Sequence, residues 1–291
     1  MSGKPPGFAL ESGDHSRRGG SSVSGEHHPE WVIDPDTPSV ARMYDYYLGG
    51  KDNFAADRRA ADQVVAAMPN VLEFTRANRG LLSRAVTMMA ADGVRQFIDI
   101  GSGLPTQENV HEVAQRAAPG SRVVYVDNDP IVLTHARALL TDNPHTTVIQ
   151  GDLREPDGIL DHPVIKERID FGRPVGLLML AILHFVLDDD RPADIVARLR
   201  APLAPGSYLA ISHGHRGAIT RDVEDQVRSA YGRTGAGDIV PRGIDEVATF
   251  FEGTELVGPG LVQVADWRPD AEPLTSDLSK PGFLAGVGRV V

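Results

Sequence analysis

Apolar residues recur at helical spacing between Ser39 and Gly93. The spacing predicts three helices, at residues 39–47, 57–68 and 71–92. Asn70 has the position of an N-cap for the third helix, and Glu73 follows three residues later, as a capping box requires. Gly93 stands where that helix would end. We therefore expect a helical segment before the first strand.

Apolar runs of strand length alternate with helical patterns from Val94 onward. The predicted strands are 94–100, 122–126, 146–150, 176–183 and 207–212, followed by two near 261–267 and 283–290. A helix is predicted from about Thr106, and others at 130–140, 191–203, 220–231 and 244–251. The run at 176–183 is apolar on both faces, which is typical of a central parallel strand. This alternation predicts an α/β fold with a Rossmann-like, doubly wound sheet.

The same patterns divide the chain into three regions. Residues 1–30 are half Gly, Pro and Ser without an apolar period, which predicts a disordered tail and no secretory signal. Residues 31–93 would form a helical extension, and residues 94–291 would form the sheet domain that carries the chemistry.

Composition excludes several classes of function. The 291 residues include 29 Lys+Arg and 40 Asp+Glu, and the net charge of −11 disfavours nucleic acid, which requires a basic surface. The absence of cysteine excludes disulfides and zinc–thiolate sites and is consistent with a cytoplasmic protein. No apolar run reaches the length of a membrane helix, so no membrane partner is expected. Composition predicts no particular oligomeric state.

Candidate ligand-binding residues follow three neighbouring predicted strands. Asp99 and the glycine turn Gly101-Ser102-Gly103 follow the first strand, Asp127 the second and Asp152 the third. Glycines allow a ligand close to the backbone, and a carboxylate after the second strand can bind ribose hydroxyls. The set predicts an adenosine ligand. A dinucleotide site would need a third glycine where Thr106 stands, so the pattern favours S-adenosylmethionine over NAD.

Longer stretches resemble one protein family. They are residues 41–53 (ARMYDYYLGGKDN), 183–188 (LHFVLD), 250–261 (FFEGTELVGPGL) and 266–269 (DWRP). Together with the glycine loop, they are similar to the actinobacterial S-adenosyl methyltransferase family, formerly a domain of unknown function, within the class I methyltransferases. The resemblance covers about residues 35–291. It implies methyl transfer and a seven-stranded sheet of order 3-2-1-4-5-7-6 whose last strand is antiparallel.

The resemblance also implies cofactor-binding positions in the sheet domain. They are Asp99, Gly101, Ser102, Gly103, Asp127, Asn128, Asp152, Leu153, Ala181 and Ile182. Asp99 would hold the methionine end and Asp127 the ribose. The pair at 152–153, flanked by Asn128, would hold the adenine. The pair at 181–182 would border the methionine side chain.

The segment from Tyr44 to Asn53 is a candidate lid over the cofactor. A tyrosine ring such as that of Tyr47 can contact a sulfonium by cation–π attraction. Gly49 would lie in the same cofactor-binding segment, and Arg79 or Lys51 could pair with the cofactor carboxylate. The alternative is that the tyrosines anchor a core and the glycines form a turn.

His184 is the candidate general base, because it follows the fourth strand beside the expected methyl group. The alternative is a structural histidine bonded to backbone. A magnesium site at Asp188-Asp189-Asp190 and a metal site at His213 and His215 are weaker alternatives, and no metal is predicted.

The predicted partner is a small-molecule methyl acceptor of undefined identity. Three rival functions are a protein that senses S-adenosylmethionine without methyl transfer, an NAD-dependent dehydrogenase and a structural binding module.

Overall fold

The predicted helices and strands occur in the predicted order, and two further helices within residues 156–168 and a short strand at 254–256 were not predicted. The structure, a computed structural model, describes residues 34–105, 108–140, 142–269 and 277–291. The α-helices are α1 (Val40–Tyr47), α2 (Ala55–Ala67), α3 (Val71–Ala91), α4 (Val110–Ala117), α5 (Pro130–Leu139), α6 (Pro156–Leu160), α7 (Pro163–Arg168), α8 (Pro192–Arg200), α9 (Arg221–Tyr231) and α10 (Ile244–Ala248). The strands are β1 (Gln96–Ile100), β2 (Arg122–Asp127), β3 (Thr146–Gln150), β4 (Gly176–Leu180), β5 (Tyr208–His215), β6 (Thr254–Leu256), β7 (Val262–Gln263) and β8 (Gly282–Val290). The predicted tail lies outside these residues.

The strands form one sheet in the order β3-β2-β1-β4-β5-β8-β6, and β7 also pairs with β8. β1 to β5 pair in parallel, whereas β8 is antiparallel to β5. The predicted order and the antiparallel last strand are confirmed. The sheet has one strand more than predicted, because two short strands, β6 and β7, pair with the same antiparallel strand.

Alternate residues of β1 pack against different layers of helices. Phe97 lies in the apolar cluster that includes residues of α3 and α4, whereas Ile98 and Ile100 lie in the cluster that includes residues of α6, α7 and α8. Successive side chains of a strand point to opposite faces, so helices cover both faces of the sheet. The doubly wound architecture is therefore confirmed.

A third apolar cluster joins α1 and α2 to α9. It includes Met43, Tyr47, Val64, Val227 and Tyr231. This cluster fixes the N-terminal helices to a late helix of the sheet domain. Among the described residues, no helix is long and apolar enough to cross a membrane.

Several element boundaries differ from prediction for local reasons. β4 ends at Leu180 because Ala181 has a φ of 56°, which breaks the extended backbone before a 3₁₀ turn at Leu183–Phe185. The predicted capping box at Asn70 is wrong, because its side-chain amide instead donates to the carbonyl of Pro281 at 3.0 Å. β5 extends to His215 because it pairs with β8 up to that residue.

Candidate functional site

Polar side chains gather at the carboxyl ends of β1 and β2, the edge where open α/β sheets bind ligands. A first cavity at this edge is lined by residues that include Arg79, Asp99, Ser102, Gly103 and Tyr125. The parallel pairing of β1 with β2 places Asp99 beside Tyr125 in register. The structure thus brings together the predicted glycine turn and two of its predicted neighbours, Arg79 and Asp99.

The glycine turn needs residues without a side chain at two positions. Gly101 has a φ of 72°, and a Cβ added there would lie 2.6 Å from the side chain of Ile182. Gly103 has a φ of 65°, and a Cβ there would meet nothing within 4 Å. The first glycine permits close contact with the segment after β4, and the second leaves open space.

Asp127 is held by the turn that it faces. Its carboxylate accepts hydrogen bonds from the backbone N–H of Gly103 and of Asp129, each at 2.9 Å. Burial raises the pKa of Asp127 to about 6, and those backbone hydrogen bonds limit the increase. Each carboxylate oxygen keeps capacity for a further donor, as ribose binding would require.

Asp99 is a buried carboxyl with no hydrogen-bond partner within the described part of the chain. Burial raises its pKa to about 7, the charge of Arg79 opposes this increase, and the nearby charge of Asp127 adds to it. Such a group, facing a cavity, is suited to bind a cationic ligand group.

The predicted adenine-binding residues lie together after β2 and β3. The side-chain amide of Asn128 donates to Asp152 at 3.4 Å. Arg154 also binds both oxygens of Asp152, at 2.9 and 2.5 Å, and this pairing lowers the pKa of Asp152. Leu153 is buried in the core. An adenine amino group would therefore compete with Arg154 for Asp152.

Helix α1 covers this edge of the sheet. Ser39, which precedes it, donates from its hydroxyl to Asp129 at 2.7 Å. Ala41 packs against Leu104 and Ile131. The N-terminal half of α1 therefore lies beside the segment that follows the glycine turn. The sequence did not predict these contacts of Ser39 and Ala41.

The family-like segment 41–53 contains structural residues as well as cavity residues. Arg42 forms a buried ion pair with Asp57 at 2.8 Å. Asp45 accepts from the backbone N–H of Asp52 at 2.9 Å and from the Asn53 amide at 2.8 Å, which orders the turn after α1.

Gly49 and Lys51 lie on that turn. Both residues are exposed, and neither lines the first cavity or the second cavity that lies between α1, α3 and α9.

A second cavity lies between α1, α3, α9 and the ends of β4 and β5. Its aromatic lining consists of Tyr44, Tyr47, Phe74, His184, Phe185, His215, Tyr231 and Phe283. The hydroxyls of Tyr47 and Tyr231 form a hydrogen bond at 3.3 Å. Tyr47 therefore lines the second cavity rather than the first.

A chain of hydrogen bonds links α1 to the end of β4. The backbone N–H of Ala181 donates to the Ser212 hydroxyl at 2.9 Å, and that hydroxyl donates to the side-chain oxygen Oδ1 of Asn78 at 2.6 Å. The Asn78 amide donates to the Tyr44 hydroxyl at 2.9 Å. Sequence reasoning missed Asn78 and Ser212, although polar residues in an apolar helix and strand were a signal for them.

His184 lies in the second cavity, and its Nδ1 accepts the backbone N–H of Gly214 at 3.1 Å. Burial, with smaller contributions from His213 and Arg242, holds its pKa well below the usual value. The neutral ring therefore carries its proton on Nε2. This arrangement disfavours the predicted general-base role, because the basic nitrogen is already occupied.

Arg242 is a buried residue that holds the turn containing His184. It donates to the carbonyls of Leu183 at 3.2 Å and Val186 at 3.0 Å, and to Asp188 at 2.5 Å. It also contacts Nε2 of His213 at 3.0 Å. The alternative metal ligands of the sequence, Asp188 and His213, therefore have protein partners. Sequence reasoning missed Arg242.

Comparisons with known proteins agree with this fold and with the cofactor predicted from the sequence. The family described as S-adenosyl methyltransferase matches residues 26–291. The chain is 43% identical to a DUF574 family protein from Streptomyces avermitilis, with a TM-score of 0.82, covering 89% of this chain and 100% of that one. A Thermobifida fusca structure is 41% identical, with a TM-score of 0.81 and coverages of 88% and 96%. No protein with a curated description matches. The chain belongs to the S-adenosyl methyltransferase family, and its cofactor is S-adenosylmethionine.

Proposed function

We propose that this protein transfers a methyl group from S-adenosylmethionine, bound at the first cavity, to a small molecule bound in the second. The observation that carries this proposal is the position of residues 181–182. Ile182 packs against Gly101 of the glycine turn, and Ala181 lines the second cavity. The end of β4 therefore lines the second cavity and also contacts the glycine turn at Gly101, and the next two residues of that turn line the first cavity. A methyl donor and an acceptor would meet there.

The residues present fit the cofactor. Asp99 offers a buried carboxyl without a hydrogen-bond partner among the described residues, and Gly103 leaves space where a side chain would stand. We assign Asp99 to the cofactor amino group, Arg79 to its carboxylate and Asp127 to its ribose. Asn128 and the pair at 152–153 would hold the adenine.

The chain contributes positioning and exclusion of water. S-adenosylmethionine supplies an activated methyl group on a sulfonium when it is bound. Holding two reactants in the correct orientation can contribute up to about 7–11 kcal/mol to catalysis. Helix α1 covers the glycine turn with Ala41 and the second cavity with Tyr44 and Tyr47. We therefore assign Tyr47 to the acceptor cavity rather than to the cofactor.

The proposal is tested by calorimetric titration with S-adenosylmethionine, S-adenosylhomocysteine and NAD. We expect saturable binding of the first two and none of NAD. Release of S-adenosylhomocysteine is then measured with a set of small aromatic and aliphatic acceptors. Binding of NAD alone would contradict the proposal. Binding of S-adenosylmethionine without methyl transfer to any acceptor of that set would favour the alternative of a protein that senses S-adenosylmethionine.

A matched pair of variants tests the position of the cofactor. Gly103→Ala and Gly120→Ala both add a methyl at a positive φ with nothing within 4 Å, but Gly120 precedes β2 at the opposite edge of the sheet. We expect only Gly103→Ala to weaken binding of S-adenosylhomocysteine, by about tenfold or more, because overpacking costs about 1–3 kcal/mol. Equal affinities in the two variants would exclude the first cavity as the cofactor site.

A further inference from the structure

The second cavity has an aromatic interior. Tyr44 and Phe74 reach it from α1 and α3, Tyr231 from α9 and Phe283 from β8. The rings of Phe74 and Phe283 lie 4.7 Å apart, and those of Phe283 and His184 lie 5.5 Å apart and are stacked. Aromatic rings make favourable offset or edge-to-face contacts with one another, so this lining favours a flat aromatic ligand.

Among the described residues that line this cavity, the charged side chains are at least partly exposed to solvent. The charged lining residues are Glu224, which is half-buried, and Arg228, which is exposed and paired with Asp238. The other titratable side chains that line it are uncharged: Tyr44, which is half-buried, and the buried Tyr47, Tyr231, His184 and His215. A charged group placed inside would lose its hydration without a partner, so an uncharged ligand is favoured.

The His184 ring offers the cavity a donor that has no acceptor among the described residues. The backbone N–H of Gly214 occupies Nδ1 of His184, which leaves the ring proton on Nε2. The described residues contain no hydrogen-bond partner for Nε2, and the ring lines the cavity. The Tyr44 hydroxyl donates to the Thr75 carbonyl and accepts from the Asn78 amide. One of the Tyr47 and Tyr231 hydroxyls donates to the other, so the proton of the accepting hydroxyl is a second donor without an acceptor among the described residues. Nε2 is not among the fully buried atoms that lack a partner, so it is open to the cavity, and an N–H there can donate to an acceptor of a bound molecule.

We propose that the second cavity binds a flat, uncharged aromatic molecule, and that Nε2–H of His184 donates a hydrogen bond to an acceptor atom of that molecule. The statement that this molecule is the methyl acceptor rests on the proposed function, whereas its binding does not. His184 is thus a ligand-binding donor.

Three probes of similar shape test the proposal by calorimetry at pH 8, with S-adenosylhomocysteine present and absent. Quinoline is flat, neutral at this pH and carries an acceptor nitrogen; naphthalene lacks the acceptor; 2-naphthoate carries a negative charge. We expect quinoline to bind roughly 3- to 10-fold more tightly than naphthalene, the value of one hydrogen bond, and 2-naphthoate to bind most weakly. Equal affinity for quinoline and naphthalene, or a preference for 2-naphthoate, would overturn the proposal.

A matched pair of variants isolates the donor. His184→Asn keeps an acceptor near the Gly214 N–H but removes Nε2–H, whereas His145→Asn changes an exposed histidine just before β3. We expect only His184→Asn to abolish the preference for quinoline over naphthalene. Retention of that preference in folded His184→Asn would contradict the assignment.

Imidazole ¹⁵N spectra of the unaltered protein give a measurement that does not depend on a folded variant. We expect one ring protonated at Nε2 whose Nε2–H resonance shifts when quinoline is added. A His184 ring protonated at Nδ1 would exclude the proposed donor.

The same titrations separate this inference from the proposed function. Binding of S-adenosylhomocysteine with no selective binding of quinoline would overturn the inference and leave the methyltransferase proposal standing. Selective binding of quinoline, together with a failure to bind S-adenosylhomocysteine, would support the inference and contradict the methyltransferase proposal.

Discussion

Buried aspartates in this protein differ in the partners that hold them. Asp57 accepts from the backbone N–H of Ser39 at 2.8 Å and of Phe54 at 2.6 Å, and pairs with Arg42. Asp127 accepts from two backbone N–H groups, whereas no described residue donates a hydrogen bond to Asp99. Saturated carboxylates stabilise the fold, and unsaturated ones remain available to a ligand. The environment, rather than the residue type, separates these roles.

The substitution Asp127→Ala tests the ribose assignment at this scale. We expect it to weaken binding of S-adenosylhomocysteine by about 1.5–3 kcal/mol, the value of hydrogen bonds to a charged group. Calorimetry measures the change. Asp161→Ala is the control, because Asp161 is an exposed carboxylate that pairs with Lys166 away from the cavities. An unchanged affinity in folded Asp127→Ala would refute the assignment.

At the scale of elements, α1 is anchored at its start, at its end and on the side that faces the sheet. Asp57 of α2 holds its start, the Asp45 carboxylate orders the turn after it, and Asn78 of α3 binds Tyr44 in the middle. These anchors hold the two cavity tyrosines in place. We therefore expect α1 to be ordered before any ligand binds.

The first anchor is tested with two aspartates of the same helix, α2. Asp57→Ala would leave the buried Arg42 charge unpaired, and removing one partner of a buried ion pair costs about 3–5 kcal/mol. Asp62→Ala removes an exposed carboxylate that accepts from Tyr46, so we expect a much smaller loss. Guanidinium unfolding gives both free energies. Equal losses for the two variants would show that the Asp57 pair does not anchor α1.

The hydrogen-bonded link between α3 and β5 is tested by a double-mutant cycle of Asn78→Ala and Ser212→Ala. The two side chains bond directly at 2.6 Å, so their effects on the free energy of unfolding are expected to be coupled by about 0.5–3 kcal/mol. Asn78→Ala combined with the distant Asp62→Ala serves as the uncoupled control. Additive losses for Asn78 and Ser212 would contradict the link.

At the scale of the whole molecule, the parallel sheet places two buried carboxyls from adjacent strands at one edge. Burial raises the pKa of Asp99 to about 7 and that of Asp127 to about 6. An acid whose pKa is raised by folding stabilises the fold while protonated. Its contribution is present below the unfolded pKa, near 4, and is lost as the pH rises through the folded pKa.

We therefore expect opposite effects of pH on stability and on ligand affinity. Relative to Asp99→Asn, the free energy of unfolding of the unliganded protein falls as the pH rises from about 4 to about 7. Affinity for S-adenosylhomocysteine rises as the pH passes through 7, because the ionised Asp99 attracts the ligand amino group.

Guanidinium titrations and calorimetry at pH 5 to 8 measure the two trends. The comparison with Asp99→Asn removes the opposite contribution of His184 and His213, whose low pKa values favour folding as the pH rises toward 6.5. Parallel pH profiles of affinity in the two proteins would exclude a role for Asp99 ionisation.

Prediction from sequence succeeded where the signal is local. The alternation of strands and helices predicted the sheet, and the run Asp99-Ile100-Gly101-Ser102-Gly103 predicted the glycine turn after β1, to which we assign the cofactor. Prediction from sequence failed where a residue distant in the chain changes the local conformation or takes the hydrogen bond that was expected within the element. The Asn70 amide bonds Pro281 rather than capping α3, and Ala181 ends β4 although its apolar run continues.

Periodicity and strand-end chemistry indicated the fold class and the cofactor from the sequence alone, because those signals lie among near neighbours in the chain. The family followed from the resemblance of longer stretches, such as residues 41–53, to a known family. Only the tertiary structure decided that Tyr47 faces the second cavity and that Gly49 and Lys51 lie outside both cavities. It also decided the proton position on His184, because Gly214 lies 30 residues away. Partners so distant in sequence meet only when the sheet topology brings their strands together.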